Sequence, residues 1–372
     1  MSAHQPKKLL DSPLAAEHVK AGATLGTWFG CALPDIFSEV PEEYRFARET
    51  VALIDKNYRA FLTFTGPDRV RYLNAILTNN IRDLGPGEAN ASLLLNPQGH
   101  ILAEIEAYAV PEHILAVSYA MIRESLIATF EKYIIMDDVA LADETARLGV
   151  LAVEGPKSGD LVREICGIEL VSLPELGHAE TRVDTISCRV VKRSPGGIPG
   201  AEFIAETAQL SSLWNILLEK VRATGGGPMG YTALNARRLE QGIPWFGYDF
   251  DERHIPHEAG LENSHISYTK GCYTGQEIVE RVRSRGQVNR QRVGFRFAGK
   301  EPPPAGITLL AGDKETGYLT RAAFSPALGS AIGMGYVHRE SSAPGTRLTC
   351  AGVAAEVILL PVTPSRNGAS GP

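Results

Sequence analysis

The chain has 372 residues, more than one hydrophobic core usually serves, so we expect two or three domains. Its formal net charge of −6 argues against a protein that coats nucleic acid, because binding many phosphates requires a strongly positive surface. Five cysteines without a CxxC pair argue against a disulfide framework, and the lack of any apolar run of about 18 residues argues against a membrane partner. We therefore expect a soluble cytoplasmic protein with free thiols.

The first 145 residues alternate strand-like and helical patterns. A helix is predicted over 14–21, and "VALIDKNYRAFLTFTGPD" (51–68) predicts strands that end in a Gly-Pro-Asp turn. The stretch "ASLLLNPQGHILAEIEAYAV" (91–110) predicts two strands joined by a tight turn, and a third strand and an amphipathic helix follow within 113–134. This order is typical of an α+β domain in which helices cover an antiparallel sheet.

Residues 146–290 have the same make-up, although the two stretches share no residue-level repeat. A strand is predicted in "RLGVLAVEG" (147–155) and a helix in "PKSGDLVREIC" (156–166). Further strands are predicted near 182–206, and "LSSLWNILLEKVRAT" (210–224) predicts a second helix. We therefore predict a second α+β domain.

The last part of the chain has a different character. Over 291–362, short strands alternate with Gly-rich turns, and "KEPPPAG" forms a rigid boundary near the start, which predicts a small β-barrel or sandwich. The tail, 363–372, is predicted to be disordered. The predicted domains are therefore 1–145, 146–290 and 291–362.

The stretch "YTKGCYTGQEIVERVRSRGQ" (268–287) places a cysteine just before a predicted helix. Thr274 and Glu277 have the spacing of a capping box, which predicts a helix start near Thr274. Cys272 would then precede the positive end of a helix dipole, with Lys270 two residues away, and both features favour a thiolate. This predicts a reactive thiol; the alternative is a small buried side chain that fills space.

Several stretches resemble one superfamily. "KGCYTGQE" is similar to the signature of the YgfZ-type folate-binding proteins, which belong to the glycine-cleavage T-protein (aminomethyltransferase) superfamily. Other stretches resemble T-proteins or the approach to that signature: "GATLGTWFGCALP" (22–34), "RRLEQGIPWFGYDFDERHIPHEAGL" (237–261), "RAAFSPALGSAIGMGYV" (321–337) and "GTRLTC" (345–350). The likeness runs from about Gly22 to Pro361.

The resemblance implies a fold and a ligand. The fold is a T-protein-like three-domain cloverleaf, with two α+β domains whose sheets are antiparallel, a small C-terminal β-barrel, and a central hole that receives tetrahydrofolate or a one-carbon derivative. In that fold the chain can cross between the first two domains.

Three functions remain open on this resemblance. The first is a YgfZ-type accessory protein that supports iron–sulfur cluster assembly or repair, with assembly or client proteins as partners and Cys272 and Lys270 as its working groups. The second is a T-protein-like aminomethyltransferase or another folate-dependent one-carbon transferase. The third is a pure interaction protein.

Candidate folate contacts follow from the resemblance. "SPGGIPGAEFIAE" (194–206) is similar to the T-protein stretch whose glutamate holds the pterin, which implies that role for Glu202. A carboxylate can accept paired hydrogen bonds from the N–H and amino group of a pterin edge; the alternative is a solvated strand residue. Arg238, in a helix predicted over 232–241, is either a folate contact or part of a surface ion pair.

T-proteins carry two consecutive acids in the hairpin where this chain has Ala103 and Glu104. A carboxylate therefore remains at one place only, and a misplacement of about 1 Å can cost roughly a hundredfold in rate. Leu234 also stands where T-proteins carry an arginine, so we do not expect efficient aminomethyl transfer. Asn96 and Glu104 remain candidate cofactor contacts, although Asn96 also fits a plain hairpin-turn role.

The segment 270–292 contains six cations and two carboxylates, a net charge of +4 in an acidic protein. Such a run usually forms a solvated helix face, but it could receive a polyglutamate tail, an acidic partner protein or a structured RNA such as a transfer RNA. Only Tyr268 and Tyr273 are interleaved, so nucleic acid is the least favoured partner. Tyr273 is also a candidate cofactor contact. The nearby histidines match no metal signature, and we predict no metal.

Overall fold

The computed structural model describes residues 9–362, so the predicted disordered tail at 363–372 lies outside the described residues. The chain divides into two compact units, Met1–Ala233 with Asn263–Gln276, and Leu234–Glu262 with Glu277–Pro372. The helices are α1 (Ala15–Lys20), α2 (Val40–Glu49), α3 (Arg69–Ile76), α4 (Arg123–Tyr133), α5 (Ser158–Cys166), α6 (Leu210–Ala223), α7 (Tyr231–Gln241), α8 (Pro256–Ala259), α9 (Glu262–His265) and α10 (Gln276–Arg285).

The strands form four sheets. They are β1 (Leu10–Asp11), β2 (Thr24–Trp28), β3 (Cys31–Ile36), β4 (Ala52–Asp55), β5 (Arg59–Thr65), β6 (Ala89–Leu95), β7 (Ile101–Ala109), β8 (Ile114–Tyr119), β9 (Ala140–Asp143), β10 (Leu148–Glu154), β11 (His178–Val183), β12 (Ile186–Lys192), β13 (Gly200–Glu206), β14 (Gly227–Pro228), β15 (Arg290–Phe297), β16 (Thr308–Ala311), β17 (Lys314–Ser325), β18 (Ser330–His338), β19 (Arg347–Cys350) and β20 (Val353–Ile358). A small three-stranded sheet has the order β1-β3-β2.

A five-stranded antiparallel sheet in the first unit has the order β6-β7-β8-β5-β9. Its core lies between the sheet and helices α3 and α4, where the rings of Phe64 and Phe130 meet edge to face at 4.9 Å. The predicted hairpin is confirmed, since β6 and β7 pair across a turn in which Gly99 has a φ of +77°. Only glycine adopts that conformation without strain.

A second sheet in the same unit has the order β11-β12-β13-β10-β4-β14 and packs on α5 and α6. Strand β4 comes from the early part of the chain yet pairs with β10, so the chain crosses from the one sheet to the other. Residues of both sheets contribute to a further apolar cluster, including Phe61 and Tyr108 of the five-stranded sheet and Ile204 of the other. The domain boundaries at 145 and 290 stay a prediction.

The second unit contains a closed barrel of six strands in the order β15-β18-β17-β16-β19-β20. Its interior is filled by apolar side chains, among them Phe295, Phe297 and Val337. Closure leaves no free sheet edge, which decides between the barrel and the sandwich that the strand pattern allowed.

The predictions for α7, the long helix before the KGCYTGQE motif, and for α10, which begins within it, have different outcomes. Helix α7 matches its predicted range to within one residue. Helix α10 begins at Gln276 rather than near Thr274, so Glu277 is its second residue and not the third that a capping box requires. The reason is Gly275, whose φ is +83° and where a Cβ would lie 2.7 Å from the carbonyl oxygen of Asn96. Within residues 9–362, no helix is long and apolar enough to cross a membrane.

Candidate functional site

Glu202 lies in the middle of β13, opposite Ala152 of β10 and Val191 of β12. It is only 4% exposed, so the solvated-strand alternative is wrong. Its Oε1 lies 3.6 Å from Nε of Arg193, and its Oε2 lies 3.8 Å from Nη2 of Arg59. These ion pairs are longer than hydrogen bonds, so the carboxylate keeps acceptor positions open.

A second buried carboxylate, Glu106 on β7, contacts the same two arginines more closely. Its Oε1 lies 2.7 Å from Nη1 of Arg193, while its Oε2 accepts hydrogen bonds from Nη2 of Arg59 and, at 2.6 Å, from the hydroxyl of Tyr108. Burial raises the pKa of Glu106, but the charges of Arg193 and Arg59 outweigh burial and lower it, so this carboxyl is ionised. We call Arg59, Glu106, Arg193 and Glu202 the charge cluster.

The charge cluster has buried neighbours. Lys56 donates to Glu154 at 3.1 Å, which adds a further balanced pair. The rings of Tyr58 and Tyr119 stack with their centroids 5.6 Å apart. The guanidinium of Arg59 lies 5.9 Å from the ring centroid of Tyr58 and 6.0 Å from that of Tyr119. A polar centre flanked by aromatic faces can hold a flat heterocycle.

Glu104 lies two residues before Glu106 on β7, so both side chains point to the same face of the sheet. Its carboxylate accepts from the hydroxyl of Tyr119 at 2.8 Å and is hydrogen-bonded to Nε2 of His265 at 3.0 Å. Ala103 belongs instead to the apolar core of the five-stranded sheet. The structure therefore brings Glu104 beside the charge cluster and gives the Ala103 position no polar role.

Asn96 forms part of the hairpin turn. Its Oδ1 accepts from the backbone N–H groups of Gln98 and His100, both at 3.0 Å. These bonds support the turn role that the sequence also allowed, and a contact between Asn96 and a cofactor stays a prediction.

The KGCYTGQE motif presents an exposed thiol and a buried ammonium. Cys272 is exposed and free, so it does not fill space. Lys270 is 7% exposed and donates to the backbone carbonyls of Asn74, Leu77 and Asn79 at the end of α3.

Burial and the nearby charge of Arg82 lower the pKa of Lys270 to about 8. Its ammonium also lies 5.2 Å from the ring centroid of Tyr273, which is buried. Lys270 thus anchors the motif to α3, while catalytic roles for Cys272 and Lys270 and a cofactor contact by Tyr273 stay predictions.

Arg238 lies in the second unit and is 3% exposed, so the surface-pair alternative is wrong. Its Nη1 donates to Asp249, its Nε donates to Asn235 at 2.9 Å, and its guanidinium lies 4.4 Å from the ring centroid of Trp245. The pair fixes the loop after α7. A folate contact by Arg238 stays a prediction.

Arg59, Glu106 and Arg193 were not predicted from the sequence as site residues. One local signal was available: the alternation in "AEIEAY" places Glu104, Glu106 and Tyr108 on one face of a strand, and two acids on a buried face require cations. Among residues 9–362, no three His, Cys, Asp or Glu side chains are grouped so that they could hold a metal ion.

Comparisons with known proteins agree with this architecture. The GCVT N-terminal domain matches residues 14–266, and the glycine cleavage T-protein C-terminal barrel domain matches residues 290–362. The chain is 31% identical to an aminomethyltransferase of Rubrobacter xylanophilus over 89% of this chain and 87% of that protein, and 27% identical to one of Streptomyces avermitilis over 93% of each.

Among solved structures, the glycine cleavage system aminomethyltransferase T of Bartonella henselae superposes with a TM-score of 0.86, covering 95% of this chain and 98% of that one at 23% identity. The predicted T-protein-like fold, with antiparallel α+β sheets and a C-terminal barrel, is confirmed. The chain belongs to the glycine cleavage T-protein family.

Proposed function

We propose that this protein is a folate-dependent one-carbon transferase of the T-protein type that takes tetrahydrofolate or a one-carbon derivative of it. The observation that carries the proposal is Glu202, a buried carboxylate whose ion pairs of 3.6 and 3.8 Å leave its acceptor positions open. The aminomethyltransferase names of the relatives support the same class of reaction.

The residues present fit a reduced folate. Glu202 can accept both hydrogens of a pterin edge, and such charge-assisted bonds are among the strongest. The Nε of Arg59 is buried and has no hydrogen-bond partner among the described residues, so it can donate to a ring carbonyl. Tetrahydrofolate would supply the carrier of the one-carbon unit.

Calorimetry with 5-formyltetrahydrofolate tests the proposal. We expect Glu202→Gln to weaken binding by about 1–3 kcal/mol, because one acceptor becomes a donor that faces a donor. Glu206→Gln is the matched control, since Glu206 ends the same strand and its side chain is 57% exposed. If Glu202→Gln titrates like the unaltered chain, the pterin is not held by Glu202.

A second candidate is the YgfZ-type accessory function, in which the protein binds folate and supports iron–sulfur cluster assembly or repair. Two observations favour it: Ala103 is a core residue where T-proteins carry an acid, and Cys272 is exposed in a motif that resembles the YgfZ signature. Partners would then be assembly factors or client enzymes. The transfer of an aminomethyl group would be lost.

A reconstituted glycine-cleavage assay separates the two candidates. Turnover of roughly 1 per second or more, in the ordinary range of enzymes, favours an aminomethyltransferase. Turnover far below that, together with loss of iron–sulfur enzyme activity in cells whose protein carries Cys272→Ser, favours the accessory function. A chain that binds no reduced folate would leave only the interaction through the positive segment 270–292.

A further inference from the structure

We infer that Glu106 is a positioning residue for the folate site: it holds Arg59 and Arg193 away from full contact with Glu202, and so keeps the Glu202 carboxylate open to a ligand. The inference rests on the proposed function, since it concerns the ligand of the same carboxylate. Glu106 itself is not expected to touch the ligand.

The two arginines lie closer to Glu106 than to Glu202. Glu106 and Glu202 are each 4% exposed, so burial does not distinguish the two carboxylates. Yet Arg193 lies 2.7 Å from Glu106 and 3.6 Å from Glu202, and Arg59 is hydrogen-bonded to Glu106 but lies 3.8 Å from Glu202. Both arginines therefore make their short contacts with Glu106 and only longer ones with Glu202.

Backbone placement explains this preference for Arg59, whereas Arg193 follows β12 of the same sheet as Glu202 and reaches across to Glu106. Glu106 is on β7 and Arg59 on β5, two strands of the five-stranded sheet, whereas Glu202 comes from β13 of the other sheet. Tyr108, on the same face of β7, adds a hydrogen bond of 2.6 Å that fixes the Glu106 carboxylate. Glu106 is thus held by its own sheet and holds the arginines in turn.

Removing the charge of Glu106 should redirect the arginines. In Glu106→Gln, two guanidinium groups would face one remaining carboxylate, and leaving the buried Arg59 guanidinium without an anion is strongly disfavoured. They would close on Glu202 and take the acceptor positions that a pterin edge needs. We expect 5-formyltetrahydrofolate to bind at least tenfold more weakly.

A double-mutant cycle tests whether Glu106 acts through Glu202. Glu106→Gln should weaken binding in the unaltered chain but change it by less than about twofold in a Glu202→Gln background. A merely structural role would lower affinity by the same factor in both backgrounds. Glu106→Gln combined with Arg193→Gln restores the charge balance and should recover part of the lost affinity.

Glu206→Gln is the matched control, because Glu206 ends the same strand as Glu202 but pairs with Arg147 instead of the two arginines of the charge cluster. It should leave affinity within about threefold. If Glu106→Gln does not fold, Tyr108→Phe removes only one donor to Glu106 and should weaken binding by a smaller factor.

The outcomes separate this inference from the proposed function. An unaltered chain that binds no reduced folate overturns both. Equal binding by the unaltered chain and Glu106→Gln overturns the role of Glu106 alone. Unchanged affinity of Tyr108→Phe for 5-formyltetrahydrofolate would also contradict the role of Glu106.

Discussion

The carboxylate of Glu104 and the Nε2 of His265 are hydrogen-bonded at 3.0 Å although 161 positions separate them in the chain. This bond joins strand β7 to the segment that leads into the KGCYTGQE motif. Burial raises the pKa of Glu104, but the hydrogen bond and charge of His265 outweigh burial and hold it below its ordinary value.

We expect Glu104→Gln to lower the free energy of unfolding by about 1–3 kcal/mol near neutral pH. Because the folded pKa is depressed, the stabilisation is present above the unfolded pKa of about 4.3 and is lost as the pH falls through the folded value. Urea unfolding of both proteins over the acid range measures this loss. Glu112→Gln, at an exposed loop position, is the control, and a gap independent of pH would contradict the prediction.

Lys270→Met should destabilise the protein, because three carbonyls at the end of α3 lose their donor. The pKa of Lys270 is lowered to about 8 by burial and by Arg82, against about 10.4 in an unfolded chain. Between these values the unfolded state binds more protons, so this group makes stability rise with pH. The gap in unfolding free energy between the unaltered chain and Lys270→Met should therefore widen across that window. A difference in unfolding free energy that stays constant or narrows over this range would contradict a lowered pKa of Lys270 in the folded protein.

Cys272 should react first in a brief iodoacetamide pulse at about pH 7, followed by peptide mapping. It is the exposed thiol, whereas burial raises the pKa of Cys31 to about 11 and, helped by Cys166, that of Cys188 to about 12. Burial also raises the pKa of Cys166 and of Cys350. These four thiols are internal controls, and labelling of Cys272 no faster than theirs would refute the prediction.

Asp249→Asn should destabilise the second unit by about 3–5 kcal/mol, because it leaves the buried Arg238 guanidinium without its anion. Thermal or urea unfolding followed by barrel-region hydrogen exchange measures the effect. Glu258→Gln is the control, since its partner Arg290 is 36% exposed and such pairs contribute about 1 kcal/mol or less. Equal losses in the two variants would show that burial of Arg238 has no energetic consequence.

Local signals predicted much of the fold. The turn residues Asn96 and Gly99 predicted the β6–β7 hairpin, and α7 was predicted over 232–241, because hairpin turns and single helices depend on neighbours within a few residues. The start of α10 was missed by two residues, since it depends on the approach of Gly275 to the carbonyl of Asn96, far away in the chain.

The charge cluster was beyond such signals. Arg59, Glu106 and Glu202 come from three strands of two different sheets, and Arg193 follows a fourth strand, so no spacing in the sequence relates them. The resemblance supplied Glu202 as a candidate, but its burial and its two arginine neighbours depend on long-range strand pairing. A glutamate whose partners are unknown is expected to be exposed to solvent.

Arg59 and Arg193 match Glu106 and Glu202 charge for charge, and this balance has a kinetic consequence. A group of charges that sums to zero produces little field beyond its own surroundings, so it cannot steer an anionic ligand from solution. The charge cluster should therefore add little salt dependence to the rate of association with a folate between about 0.05 and 0.5 M salt. Affinity at this site would be decided by how slowly the ligand leaves.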